Sequence, residues 1–145
     1  MIDSFNIRVY ALCIKDEKIL ILNEEYAGKY LTKLPGGGLE FGEGTLECLQ
    51  RELAEELNLS IKSAEHFYTQ EDFLVSRFKD NEQLLTIYYK VELENDEDLL
   101  VMDPCIEQVV WHPIADGNPF DLPIDKIVYE KIITKIGRAS CRERV

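Results

Sequence analysis

The feature that most constrains the fold of this chain is the junction of a glycine-rich loop and an acidic helix, within residues 36–60. Pro35 and the glycines after it break regular structure, and leucines then recur at helical spacing over residues 45–57. On a wheel that advances about 100° per residue, four leucines lie within about 40° of one direction: Leu46, Leu49, Leu53 and Leu57. This stripe predicts a helix that packs one face on a sheet.

Three carboxylates share another sector of the same helix. Glu52, Glu55 and Glu56 lie at about −100°, −160° and −60° from Leu53 on that wheel. Two carboxylates about 6 Å apart repel by roughly 3 kcal/mol at an effective dielectric near 20, so cations relieve the crowding. Ligands that are all oxygens favour Mg²⁺, with Mn²⁺ as a substitute. The helix alone leaves a second interpretation open, in which its glutamates face only solvent.

The glycine-rich loop supplies the other half of the predicted site. Gly36, Gly37 and Gly38 allow a tight turn and let the backbone approach a metal ion or a phosphate. Glu43 stands eight residues before Arg51, and we expect it to fold back and pair with that guanidinium. Such a pair would pin the loop on the helix.

The segment resembles the Nudix box, whose pattern is G-x5-E-x7-R-E-U-x-E-E-x-G-U, where U is a bulky aliphatic residue. The matching residues are Gly37, Glu43, Arg51, Glu52, Leu53, Glu55, Glu56 and Leu59. The one departure is Asn58, where the family has glycine. Asparagine is the next-best residue for a left-handed position after a helix, so the backbone role can still be met.

The resemblance implies an α/β fold, a Nudix-like α/β/α sandwich with a mixed β-sheet. It also implies a hydrolase that cleaves a diphosphate bond in a nucleoside diphosphate linked to another moiety, such as a nucleoside triphosphate or ADP-ribose. By position, it assigns these metal ligands: Gly37, Glu52, Glu55 and Glu56. The three glutamates also become the catalytic residues, while Arg51 and Glu43 become a structural pair.

The general base is left open by the resemblance. One of the box glutamates serves in some relatives, and a carboxylate from a later loop serves in others. Glu107, shortly before Trp111, is our candidate for the later carboxylate. A surface charge at a strand edge is the other interpretation of Glu107.

Two rival functions remain beside this hydrolase. The first is a catalytically silent module that binds a nucleotide, or regulates, with the same fold. The second is isomerase chemistry on an isoprenoid diphosphate, and the chain lacks the additional cysteine and glutamate motifs of such relatives. The nucleotide and its leaving group are not encoded in any motif that we can read.

The segments around the motif predict strands on both sides of the central helix. Alternating, β-rich segments cover residues 5–14, 19–22, 30–34, 61–78, 84–93 and 107–111, and a closing helix covers residues 124–136. Strands before and after one helix, with a second helix at the end, predict one mixed sheet between helices. We therefore expect a single domain over residues 1–135.

Charge and composition narrow the partners. A net charge of −12 gives no basic face for a nucleic-acid polymer, whereas a small anionic nucleotide can bind through metal ions. No apolar run is long enough to cross a bilayer, and the first ten residues do not form a secretory signal. The four cysteines form no CxxC pair, which favours reduced thiols and a cytoplasmic location. A homodimer is left open.

The last ten residues, 136–145, differ in composition from the rest of the chain. Three of the six arginines fall in the last eight residues: Arg138, Arg142 and Arg144. The string resembles one translated frame of a sequencing-library adapter. We therefore expect the native protein to end near Lys135 and the remainder to be a non-native or disordered tail; an ordinary frayed basic tail is the alternative.

Overall fold

The structure is a computed structural model that describes residues 1–26 and 28–143. Within those residues the chain forms these strands and α-helices in order: β1 (Ser4–Lys15), β2 (Lys18–Tyr26), β3 (Lys29–Lys33), β4 (Gly36–Gly38), α1 (Thr45–Leu57), β5 (Ile61–Thr69), β6 (Leu74–Val75), β7 (Glu82–Leu93), β8 (Ile106–Pro113) and α2 (Pro123–Glu143). Two short 3-10 helices cover Asp96–Asp98 and Ile114–Asp116. The predicted α1 has the observed bounds.

A hairpin of β1 and β2 organises the sheet. Its turn is made by Asp16 and Glu17, whose φ angles of 52° and 61° give the left-handed backbone that a two-residue hairpin turn requires. On one side, β1 runs parallel to β7, and β7 pairs antiparallel with β5 and β6. On the other side, β2 pairs antiparallel with both β3 and β8. The sheet is therefore mixed, as predicted.

Alternation along β1 assigns the two faces of the sheet. Val9, Ala11 and Cys13 are buried against the leucines of α1, while Leu12 is buried in a second core with α2. Because β1 is apolar on both faces, one helix can cover each side. The predicted α/β/α sandwich is confirmed.

The glycines after Pro35 do not form the irregular loop expected from the sequence. They form β4, which pairs antiparallel with Arg8, Val9 and Tyr10 of β1. Gly36 has φ of +143°, and a Cβ on it would lie 2.1 Å from the Val9 carbonyl oxygen. Only glycine permits this close approach, so the same residues that break ordinary structure make a strand here.

Two other expectations also need correction. Leu46 is 47% exposed and does not join the leucine stripe. Thr45 makes the contact with the sheet there, and its hydroxyl lies 2.7 Å from that of Tyr89.

The strand expected over residues 61–78 is interrupted. The Gln70 side chain accepts hydrogen bonds from the Thr86 N–H and hydroxyl and donates to the carbonyl of Leu84, and pairing resumes only in β6.

The closing helix is longer than expected, since α2 continues past residue 136 to Glu143. Residues 144 and 145 of the tail lie outside the described residues, and the non-native origin of residues 136–145 stays a prediction. No helix among the described residues is both long and apolar enough to cross a membrane.

A buried acid holds α2 against the sheet. Asp125 is 5% exposed and accepts a hydrogen bond of 2.9 Å from the Tyr88 hydroxyl. Burial raises the pKa of Asp125 to about 6, although the Tyr88 hydrogen bond and the Lys33 charge oppose the rise. The folded protein therefore retains a proton on Asp125 at a pH where the unfolded chain has lost it.

This protonation predicts a pH-dependent effect of Asp125→Asn. Between pH 4, near the pKa of an unfolded aspartate, and about pH 6, the unfolded chain binds fewer protons, so wild-type stability falls as pH rises. The unfolding free energy of Asp125→Asn, relative to wild type, should rise over that range by up to about 3 kcal/mol and level off above it. Urea denaturation at pH 4 to 7 measures this difference, and a difference that is independent of pH would contradict the assignment.

Candidate metal and phosphate site

Helix α1 presents its carboxylates at one edge of the sheet because both of its ends are fixed. At the start, the Glu47 carboxylate accepts a 2.9 Å hydrogen bond from the N–H of Gly44. At the end, Asn58 adopts φ 58° and ψ 35°, and its N–H donates to the Ala54 carbonyl. The left-handed backbone that the sequence indicates at Asn58 is present.

Arg51 connects this helix to the glycine-rich loop. Its Nε and Nη2 donate to the two carboxylate oxygens of Glu43 at 3.0 and 2.7 Å, and Nη2 also donates to the Gly38 carbonyl at 3.0 Å. Hydrogen bonds from Arg51 and from the Glu40 backbone lower the pKa of Glu43 to about 2. Glu43 and Arg51 are therefore paired as the resemblance implied.

The same guanidinium reaches two of the three helix carboxylates. Arg51 Nη1 donates to Glu52 Oε1 at 2.9 Å and to Glu55 Oε2 at 3.3 Å. The Glu52 side chain is 17% exposed, whereas that of Glu55 is 61% exposed. The repulsion expected from the helical wheel is thus partly offset within the protein, and the three carboxylates differ in their environments.

The glycines of β4 lie directly against these carboxylates. A Cβ on Gly37 would be 2.5 to 2.6 Å from the carboxyl atoms of Glu52, so no other residue fits without displacing Glu52. The Gly36 N–H donates to Glu56 Oε1 at 3.0 Å. Glu52 and Glu56 therefore lie beside the backbone of β4, where carboxylate and backbone groups can contact the same ligand.

Glu56 is the buried member of the set and belongs to a larger group. It is 5% exposed, and the carboxylate oxygens of Glu24, Glu56 and Asp103 can lie within 4.8 Å of one another. Burial raises the pKa of Glu56 to about 7, although the Lys33 charge and the Gly36 N–H oppose the rise. Lys33 Nζ stands 3.2 Å from Glu24 Oε1 and 3.8 Å from Glu56 Oε2.

This donor set fits a hard divalent cation. All of the candidate side-chain donors are carboxylate oxygens, which Mg²⁺ and Mn²⁺ prefer. With all three acids ionised, the single ammonium of Lys33 leaves two negative charges uncompensated in a buried place. A divalent cation would balance them.

Comparison with known proteins identifies the family. A model of the NUDIX domain matches residues 5–132. The chain belongs to the Nudix family.

Solved Nudix structures share the fold of this chain. The MutT Nudix hydrolase from Burkholderia pseudomallei superposes with a TM-score of 0.75 at 18% identity, covering 90% of this chain and 99% of that one. The E. coli ORF135 protein gives 0.74 at 19% identity, covering 90% of each chain. The Nudix domain of NrtR from Shewanella oneidensis, complexed with ADP ribose, gives 0.67 at 20% identity, covering 94% of this chain and 90% of that one. At these identities the likeness concerns the fold.

Two acids that group with Glu56 were not predicted from the sequence. Glu24 follows Leu20 and Leu22 at the period of a strand that faces α1, so alternation in β2 could have indicated it. Asp103 lies on a connection that runs beside the end of α1, where the Met102 N–H donates to the Glu56 carbonyl at 2.9 Å. No local pattern signals that approach.

Glu107 lies apart from this acidic group. In the pairing of β2 with β8, Glu24 stands opposite Ile106 and Asn23 opposite Gln108, so Glu107 is the extra residue of a β-bulge. A hydrogen bond with the Glu25 carboxyl, then partial burial and the Glu25 charge, raise the pKa of Glu107. Glu25 is therefore the neighbouring carboxyl that raises the pKa of Glu107, and the role of Glu107 as general base stays a prediction.

A cavity of about 730 Å³ lies elsewhere, between the ends of β1, β5 and β7. Cys13, Ala64, Val91 and Trp111 are among its lining residues, and none of the acids described above lines it. The candidate metal and phosphate site therefore lies outside this cavity.

The contact of Gly37 with Glu52 predicts the effect of Gly37→Ala. The new methyl group must displace the flexible Glu52 carboxylate, so we expect little loss of thermal stability but at least a tenfold weaker affinity for Mn²⁺. Gly38→Ala is the matched control, since a Cβ there would have its nearest neighbour at 3.8 Å. Calorimetric Mn²⁺ titration and thermal unfolding of both variants measure the effect. Equal Mn²⁺ affinities would show that the position of Glu52 does not matter to metal binding.

Proposed function

We propose that this Nudix protein is a Mg²⁺-dependent diphosphohydrolase. Its substrate is a nucleoside diphosphate linked to another moiety, such as a nucleoside triphosphate or ADP-ribose, and Mn²⁺ can substitute for Mg²⁺. The observation that carries the proposal is the buried Glu56 carboxylate, grouped with Glu24 and Asp103 beside a strand made only of glycine. Membership of the family supports the reaction class.

The residues of the chain divide the work. Glu52, Glu55 and Glu56 hold the metal, with Glu24 and Asp103 as additional acids. Gly37 contributes its carbonyl, and Gly36 and Gly38 keep the edge of β4 free of side chains for a diphosphate. When bound, magnesium supplies positive charge for the diphosphate and the leaving oxygen and lowers the pKa of water.

The remaining residues of the proposed site orient the metal ligands or accept a proton. Arg51 fixes the Glu52 carboxylate, because the Glu43 pair prevents the guanidinium from turning away. Glu107 is the proposed proton acceptor for the attacking water. The neighbouring Glu25 carboxyl raises the pKa of Glu107, which favours uptake of a proton relative to an ordinary glutamate.

Replacing Glu56 should weaken metal binding while the protein still folds. We expect Glu56→Gln to lower turnover at least about 100-fold and to abolish stabilisation by Mg²⁺, because the amide cannot supply a charged ligand. Glu52→Gln and Glu55→Gln should act in the same direction. A panel of nucleotides assayed with Mg²⁺, together with melting temperatures in Mg²⁺ and in EDTA, measures both effects. Glu65→Gln, on the exposed face of β5, is the control.

The rival function gives a different result in the same panel. The Nudix domain of NrtR is complexed with ADP ribose, so binding of a nucleotide without hydrolysis has a structural relative. Nucleotide binding by the unaltered protein with no product formed would favour the silent module. Full activity in all three glutamine variants would refute the metal assignment.

The general base can be tested by Glu107→Gln. If Glu107 accepts the proton, kcat should fall by about 100-fold or more, with the affinity for Mn²⁺ unchanged. Glu25→Gln is the matched control, because it removes the neighbouring ionisable carboxyl and leaves the Glu107 carboxyl in place. Since the Glu25 carboxyl raises the pKa of Glu107, this control should shift the acid limb of the rate profile to lower pH. An unchanged kcat in Glu107→Gln would return the role to a box glutamate.

The cellular location and the partners of the protein are also part of the proposal. Cys13, Cys48 and Cys105 are free thiols, which suits a reducing compartment, and we propose a cytoplasmic location. The substrate is a small molecule, with no nucleic-acid polymer and no membrane as partner. A homodimer stays a prediction from the sequence.

A further inference from the structure

Arg8 is a cation near the proposed metal site, and it does not belong to the Nudix box. It stands opposite Gly38 in the pairing of β1 with β4 and opposite Thr86 in the pairing with β7. A Cβ on Gly38 would lie 3.8 Å from Arg8 Nη1, so the guanidinium reaches across to the glycine strand. Arg8 is half-buried, on the side of the sheet that α2 covers further along.

Among the described residues, only one of the three guanidinium nitrogens of Arg8 makes a hydrogen bond to the protein. Nε donates to the Tyr10 hydroxyl at 2.6 Å, and the guanidinium carbon lies 5.6 Å from the centre of the Tyr10 ring. Within the described part of the chain, Nη1 and Nη2 make no hydrogen bond. Neither nitrogen is fully buried, since no buried side-chain nitrogen or oxygen among those residues lacks a partner. The four free N–H groups are thus open to a ligand.

The charge of Arg8 is maintained although it forms no ion pair. Burial lowers the pKa of its guanidinium, but the Tyr10 hydroxyl and the carboxylates of Glu52 and Glu56 raise it by more. No carboxylate oxygen of the described residues lies within 4 Å of it, the range in which Arg51 and Lys33 are paired. Arg8 is therefore a cation whose pKa the carboxylates of Glu52 and Glu56 raise without a direct ion pair to either.

We propose that Arg8 binds a phosphate group of the substrate, so that the diphosphate lies between this guanidinium and the acids of α1. The proposal rests on the proposed function, because it takes the diphosphate to bind at the β4 edge. A guanidinium that offers two adjacent NH₂ groups matches two oxygens of one phosphate, which an ammonium cannot do. Tyr10 positions it by holding Nε, and Gly38 leaves the path free of a side chain.

The proposal explains how a chain with a net charge of −12 can bind an anion at an acidic edge. Metal ions compensate the acids, but they attract every oxygen of the diphosphate alike. A fixed guanidinium on the opposite side makes one phosphate distinct from the other. Arg8 would thereby set which phosphorus faces the attacking water, which makes it a positioning residue.

Inorganic pyrophosphate tests this contact without the need to know the base. Calorimetric titration with Ca²⁺ present should give, for Arg8→Gln, a dissociation constant raised roughly tenfold or more, as expected for a lost charged hydrogen bond. Arg8→Lys keeps the charge but not the fork and should lie between Arg8→Gln and wild type. Arg77→Gln removes the same charge from an exposed arginine and should bind as wild type does. Mn²⁺ affinity without pyrophosphate should not weaken in Arg8→Gln.

The outcomes separate this inference from the proposed function. Wild-type pyrophosphate affinity in Arg8→Gln, with only a lower melting temperature, would show that Arg8 merely packs on Tyr10 and would overturn the inference while hydrolysis stands. Failure of the unaltered protein to bind pyrophosphate would overturn it as well. If the protein binds pyrophosphate through Arg8 but hydrolyses no nucleotide, the inference holds and the proposed hydrolase fails.

Discussion

The contact between Arg51 and Glu43 is the interaction on which the site depends. It spans only eight residues of sequence, yet it fixes the glycine strand to α1 and, through Nη1, orients Glu52. Without it the link between this loop and the helix would depend on single hydrogen bonds, such as that of the Gly44 N–H to the Glu47 carboxylate and that of the Gly36 N–H to the Glu56 carboxylate. The pair is accordingly more than a local salt bridge, since a bidentate guanidinium determines the direction of the acids around it.

A buried carboxylate such as Glu56 is costly in a protein without its ligand. Burial raises its pKa to about 7, and Lys33 compensates only part of the charge of Glu24, Glu56 and Asp103. The fold tolerates this cost because the two apolar cores on either face of the sheet are independent of it. In the proposed function this excess negative charge becomes useful. A site whose negative charges are poorly balanced without a cation gains the most free energy when a cation binds.

The parts of this fold that the sequence predicted are those with short-range signals. The bounds of α1 and the left-handed Asn58 follow from helical spacing and from one residue after it, and the Glu43–Arg51 pair follows from a known motif. The strand made by the glycines was missed, because its conformation depends on the carbonyl of Val9, a residue far earlier in the chain. The interruption after β5 was missed for a similar reason, since Gln70 bonds to a strand that comes later.

The residues of the candidate site also divide into those that a short-range pattern predicts and those that only the fold brings together. The helix supplies acids that any reader of the motif can number, whereas Glu24, Lys33 and Asp103 arrive from three separate segments that only the fold brings together. Arg8 is a further case, because an arginine on an alternating strand usually means a solvated face. The fold instead places Gly38 opposite Arg8, and among the described residues two of its guanidinium nitrogens make no hydrogen bond. The motif therefore indicates the reaction class, and in our proposal a residue outside the motif, Arg8, orients the substrate.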